Sequence, residues 1–404
     1  MPPPDRTFEF VVVGSGTGAL VTAWALARLG RSVVRVGSPF PAPDRMVGTG
    51  WCAEPPPAGF EPSPPPVRAL LVRGRLLRLP LSPTDRARVL PGARVAPASL
   101  ALGRARVTSA VAAFVGGGRE ERSYRDWVRY RFGEPIYDEV FAPYARARFG
   151  DPEEILCGVA RVTHGEAVAS GSRVPAGIFG GPPPLDATVT AITEGVVTTD
   201  HGVIHGRIVV DLTPAELLRV WSRAADPALD LEAARLQARH GIEVFLPGQL
   251  PAGIQEIHVV GAPFFRVVEH GDELAVHMAV EPGAAEWTEP DHVLAKRIAG
   301  ALRELGLTAT PDFATVRRLP HHHPLWRTSH LTRLRTWTDT LEDGGIEPIG
   351  RLGLVAPMSP SAIAAYAEDR LIAGASLRDC IRHHVEPPPR DSEARPRLSE
   401  FVTR

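Results

Sequence analysis

Lysine is almost absent from this 404-residue chain. Lys296 is the only one, and arginine supplies the rest of the 45 basic side chains. Against 46 Asp and Glu the formal net charge is −1, so there is no bulk basic field to gather nucleic acid. The arginine excess, with 41 Pro and 38 Gly, reads as a GC-rich coding bias, and most of that arginine is expected at the solvated surface. Cysteine is scarce as well. Cys52, Cys157 and Cys380 are odd in number, far apart and without CxxC spacing. That excludes a disulfide framework and a zinc site, and makes a reducing cytoplasm the expected location. No window reaches the ~18–20 apolar residues of a membrane span, and MPPPDRTFEF lacks the charged-then-apolar pattern of a leader. There is no G-x-S-x-G, no Walker lysine loop and no Cys–His pairing, which removes the hydrolase and kinase classes.

The chain does have the composition of a globular protein: 44% hydrophobic and 23% charged residues. Its length suggests two domains. FEFVVV (8–13) reads as a buried strand, GALVTAWALARL (18–29) as a helix stopped by Gly30, and SVVRV (32–36) as a second strand. Such a strand–helix–strand unit implies a parallel sheet. Residues 39–66 are Pro-rich and without periodicity, as expected of a surface excursion. A hairpin turning at Arg73-Gly74 is expected over 67–81, and two short helices broken at Gly133-Glu134-Pro135 over 123–148. Short strands follow over 187–212, then β-rich sequence over 241–281, a helix over 290–306, one more strand over 314–319, and a helix near the end of 346–374.

The connection between the first strand and the helix is Gly14-Ser15-Gly16-Thr17-Gly18-Ala19. It meets G-x-G-x-x-G/A in the right context. Gly14 permits the turn, Gly16 lets a diphosphate approach the backbone, Ala19 allows close helix packing, and the helix N–H groups face the anion. The acid expected after the second strand, where it would bind ribose hydroxyls, is missing: Gly37 stands there, followed by Ser38.

VVVGSGTGALVTAWALARLGRSVVRV resembles the FAD-binding start of the protoporphyrinogen oxidase/amine oxidase flavoproteins and of UDP-galactopyranose mutase. LLVRGRLLRLPLSP, SYRDWVRYRFGEPIYDEVFAPYARARFGDPEEI, ATVTAI, VRRLPHHHPLW and GRLGLVAPMSPSAIAAY are similar to later segments of that family. The resemblance implies an α/β fold: a Rossmann-like FAD/NAD(P)-binding domain interrupted by a substrate domain with antiparallel sheet and helices. The expected division is 1–80, 151–220 and 340–385 for the discontinuous nucleotide domain, 81–150 for a helical insertion, 221–339 for the substrate-side insertion, and 386–404 for a disordered tail. The implied cofactor is FAD, held by Gly14, Ser15, Gly16, Thr17, Gly18, Ala19, Ser38, Val189, Gly350 and Arg351. The implied activity is flavin hydride transfer on a small-molecule substrate. A nucleotide-sugar mutase and a non-catalytic binding relative are the alternatives.

His321-His322-His323 and Arg327 lie on the implied substrate side, with His322 and Arg327 as the candidate contacts. Three consecutive residues cannot all point one way on a strand, so the triplet is a poor metal site. Tyr124, Trp127, Tyr130, Tyr137 and Tyr144 concentrate aromatics in one segment, where core packing is the simpler role. No catalytic side chain is evident.

Overall fold

The structure is a computed structural model, which describes residues 5–14, 16–37, 67–79, 123–164, 184–185, 187–221, 229, 233, 236–328, 330–356, 358 and 360–384. Ser15, Ser38 and the expected excursion over 39–66 lie outside them, as does the expected tail.

The first sheet is built on the predicted strand–helix–strand. Strand β1 (Arg6–Val13) pairs in parallel with β2 (Val33–Val36), and helix α1 (Thr17–Arg28) crosses between them. Helix α1 buries Ala19, Thr22, Ala23 and Leu26; the first three are small and let it lie close to the strands.

The opening strands β3 (Arg68–Val72) and β4 (Arg75–Arg78) form the predicted hairpin, with Arg73 and Gly74 at positive φ. Helix α2 (Tyr124–Phe132) starts at a capping box between Ser123 and Asp126 and stops at Gly133 (φ 81°). A further helical stretch, with π-type turns over Tyr137–Phe141, leads into α3 (Ala142–Arg148). Helix α4 (Cys157–His164) follows.

Strand β5 (Pro184–Leu185) extends the first sheet beside β2. Strands β6 (Val189–Thr193), β7 (Val196–Thr199) and β8 (Gly202–Val210) form an antiparallel meander, and β8 lies parallel to β1. The sheet order is β5-β2-β1-β8-β7-β6. Beyond β8, a capping box between Thr213 and Glu216 starts helix α5 (Pro214–Val220).

The second sheet contains β9 (Ala238–Gln249), β10 (Glu256–Val259), β11 (Arg266–His270), β12 (Glu273–Val280), β13 (Thr308–Ala309) and β14 (Thr315–Pro324). It is antiparallel except where β10 lies parallel to β3. The hairpin β3–β4, which sequence order groups with the nucleotide unit, therefore belongs to this sheet: Glu256 pairs with Arg68 and Val259 with Leu71. Helix α6 (Asp291–Glu304) covers one face, packing Leu294, Ala295, Ile298 and Leu302 onto Ile242, Val244, Val276 and Met278.

Helix α7 (His330–Asp343), which the sequence reading does not anticipate, returns the chain to the first sheet. There β15 (Ile346–Pro348) pairs in parallel with β8. Helices α8 (Gly350–Gly353), α9 (Pro360–Ala367) and α10 (Leu377–His384) close the described chain. No helix among the described residues is long and apolar enough to cross a membrane.

Candidate functional site

The nucleotide loop sits where its sequence pattern requires, between β1 and α1. Gly14 has φ 142°, which favours glycine, and Gly16 is the N-cap residue of α1. As a glycine it has no side chain with which to cap the helix. The capping acceptor comes instead from Asp211, the first residue after β8. Ala19 N–H donates to Asp211 Oδ2 (3.0 Å) and Leu352 N–H to Oδ1 (3.3 Å). Asp211 is 2% exposed. A Cβ built on Gly16 would lie 2.7 Å from Oδ2, one on Gly18 2.5 Å from Oδ2, and one on Gly350 2.5 Å from Oδ1. Three glycines therefore converge on one carboxylate. Burial pushes the pKa of Asp211 up, while the Ala19 N–H and the nearby Arg351 guanidinium pull it back. The loop's helix N-terminus thus faces an anion that belongs to the chain itself.

The second sheet carries the other concentration of polar groups. The sequences around Glu243, His258, Arg266 and His277 alternate apolar and polar residues, so the polar ones share the face opposite α6. Register aligns them into one row across five strands: His258 faces Arg266, Arg266 faces His277, His277 faces Glu243, and Glu243 faces Arg317. The polar face is not a solvent face, since Arg266, His277, Glu243, Glu256 and His258 are all buried.

Its ion pairs are specific. Glu256 accepts from Arg266 Nε (2.8 Å) and Arg68 Nε (3.1 Å), and lies 3.1 Å from His258 Nε2. Burial alone would raise its pKa, but Arg266, His258 and Arg68 hold it well below the usual carboxylate range. Tyr144 from α3 reaches His258 Nδ1 (2.9 Å) and accepts from Arg148 Nη1 (2.7 Å). On the other side Glu243 lies 3.5 Å from His277 Nδ1 and accepts from Arg317 (3.2 Å). His277 Nε2 is buried and makes no hydrogen bond among the described residues.

The histidine triplet is split by a bulge in β14 between Leu319 and His323, with His321 at φ 53°. The His321 N–H donates to His240 Nδ1 (3.0 Å), and the His240 ring stacks on Trp287 (4.1 Å). His322 packs against Gly241, where a Cβ would come within 3.1 Å of it. The His322 and His323 rings meet edge to face at 4.9 Å, and His323 meets Phe265 at 5.6 Å. Burial, then Arg351 and Arg317, lower the His322 pKa to about 4; burial and the charged neighbours hold His323 and His277 well below the usual range. Arg351, on α8, is thus felt by Asp211, His322 and His323, which ties the nucleotide loop to the polar face. No His/Cys/Asp/Glu group suited to a metal ion occurs among the described residues.

No family model matches the chain, and no curated protein matches it in sequence. Solved structures do match over nearly its whole length. Reduced UDP-galactopyranose mutase superposes with TM-score 0.60 at 14% identity, over 93% of this chain and 97% of that one. A CLA-producing fatty acid isomerase from P. acnes gives TM-score 0.60 at 10% identity, over 92% and 99%. Putrescine oxidase bound to putrescine gives 0.52 at 11%, over 92% and 100%. The chain has the fold of the amine-oxidase-like flavoproteins.

Within that flavoprotein fold, the residues present can be tested against a flavin dinucleotide. Gly37 follows β2, and among the described residues the nearest atom to a Cβ built on it is Ala187 O at 3.9 Å, so the acid expected there is replaced by glycine without a close contact that requires it. At the loop, the Ala19 N–H and the space between Gly16, Gly18 and Gly350 are taken by Asp211. The loop does not fit a diphosphate while that carboxylate stays in place.

The remaining sequence candidates are dispersed. Thr17 opens α1, with its side chain outside the described residues. Val189 is buried on β6, the outermost strand beyond β8 and β7. Arg327 is paired with Glu154 (3.4 Å), and its backbone bridges Ile155. Asp211, Glu243, Glu256, His258, Arg266, His277 and Arg317 escape the motif reading. The strand alternation carries a signal for most of them; Asp211 has none, because nothing in IVVDLTP says what the strand end will face.

Proposed function

We propose that this chain binds a small polar molecule against the buried charged face of the second sheet, beside the nucleotide loop. What supports the reading is the row His258–Arg266–His277–Glu243–Arg317 across five strands, in which all but the half-buried Arg317 are buried. Burying ion pairs is costly, and well-packed apolar residues of similar size are often as stable or more so. Clusters of shifted titratable groups between packed elements are a mark of functional sites. The unpartnered His277 Nε2 and the rings of His322 and His323 are where the molecule would be recognised, with Arg351 supplying positive charge from the loop side.

The test compares wild type with the double variant Glu256→Leu/Arg266→Met in a thermal-shift screen. The probes are short mono- and dicarboxylates, amino acids and aliphatic amines at millimolar concentration. A bound ligand stabilises by mass action. At least one probe class is expected to raise the wild-type melting temperature, and the double variant, once its own melting curve shows it folded, is expected to lose that shift. A wild type that no class moves, or a double variant that keeps the shift, defeats the reading.

The second reading is an FAD-dependent oxidoreductase working by flavin hydride transfer. The strand–loop–helix with Gly-Ser-Gly-Thr-Gly-Ala and the whole-chain likeness to flavoprotein structures favour it. Asp211 and Gly37 weigh against it. Yellow protein that releases stoichiometric FAD on denaturation would decide for it.

A further inference from the structure

We infer that Asp211 is a built-in substitute for the diphosphate of a dinucleotide, and that it is what keeps such a cofactor out of the loop. Helix N-termini attract anions because their first N–H groups lack partners and the helix dipole points positive there. In this chain that demand is met from within. The Asp211 carboxylate takes the Ala19 N–H at 3.0 Å on one oxygen and the Leu352 N–H at 3.3 Å on the other, and so bridges the start of α1 to α8.

The glycines follow from the same geometry. Gly16, Gly18 and Gly350 are where any side chain would strike that carboxylate, with built Cβ atoms 2.5–2.7 Å from its oxygens. The motif that reads as room for a diphosphate is here room for an aspartate. A diphosphate brought to the same place would meet a buried negative charge with its best donor already taken. Arg351 stands close enough to affect Asp211, so its positive charge already serves the internal anion. The absence of an acid at Gly37 fits a loop from which the ribose, too, has been lost.

The inference is independent of what binds at the polar face, so failure of one leaves the other standing. It is tested by titrating FAD into purified wild type, Asp211→Ser and Asp211→Asn, reading flavin fluorescence and binding heat instead of turnover. Ser removes both the charge and the bulk. Asn keeps the shape and one carbonyl acceptor while removing the charge, which guards against a Ser variant that does not fold; melting curves establish the state of each. Wild type is expected to be purified without flavin and to bind FAD weakly. The variant or variants that fold are expected to bind at least about tenfold more tightly, the factor carried by one well-made interaction. Equal affinity for wild type and a folded variant overturns the inference. So does a wild type that already holds stoichiometric FAD, and so does a folded variant that, like wild type, takes up none.

Discussion

Three imidazoles of the polar face, His277, His322 and His323, prefer to be neutral because burial and neighbouring arginines disfavour their charged forms. The sign of the pH effect follows. A histidine whose folded pKa is depressed binds fewer protons than the unfolded chain below pH ~6.5. Its contribution is complete above that pH and is lost as pH falls; for His322 the loss runs down to about 4. Urea denaturation should therefore show stability falling between pH 6.5 and 4, with up to about 1.4 kcal/mol per pH unit for each histidine. His322→Leu should reduce that slope, and an unchanged slope would remove His322 from the account. A second expectation concerns Glu256, a buried carboxylate that faces Arg266, Arg68 and His258. Glu256→Leu alone strands buried cations and should cost about 3–5 kcal/mol, read from the denaturation midpoint at unchanged m-value. At this scale the sequence was least legible. Asp211 meets Ala19 across 192 residues, and no local pattern encodes so distant a partner. The histidine triplet was visible, but the bulge that sends His321 toward His240 was not.

Secondary elements were far more legible, because their signals are local. The loop, α1 and β2 fall within a residue or two of their expected limits. Gly133 ends α2 and Gly306 (φ 78°) follows α6, as their sequence positions suggested. Helix α7 was missed: its sequence HLTRLRTWTDTLED mixes Thr and Arg with few apolar residues, so the helical period is faint. The start of α5 is a stronger case of local coding. Thr213 Oγ1 accepts from the Glu216 N–H (3.3 Å), and Glu216 Oε2 accepts from the Thr213 N–H (2.8 Å). Thr213→Ala removes that reciprocal cap and should lower stability by about 1–2 kcal/mol, as measured by thermal or chemical denaturation. Because Thr213 follows Asp211 by two residues, the cap also fixes how the chain leaves β8. A loss below ~0.3 kcal/mol would mean that strand packing alone fixes that exit.

The two sheets are not two consecutive segments of chain. β1 and β2 belong to the first, β3 and β4 to the second, β5 to β8 to the first again, β9 to β14 to the second, and β15 to the first. The sequence suggested an interrupted nucleotide unit but gave no sign of this alternation, since a hairpin pattern does not say which sheet it will join. It follows that residues 236–328 alone should not make a stable second sheet, because β10 would keep an open edge where β3 belongs. Fusing residues 67–79 to that fragment should convert an aggregating species into a monomer by gel filtration; equal behaviour of the two fragments would refute this. The same parallel pairing has a consequence for synthesis. Arg68 and Glu256 are 188 residues apart, and ribosomes add about 5–20 residues per second. The hairpin therefore emerges about 10–40 s before its partner strand exists. During that interval its apolar residues Leu70, Leu71 and Val72, which end up buried, have no native cover. Any chaperone that assists this chain on the ribosome should be found first on this hairpin.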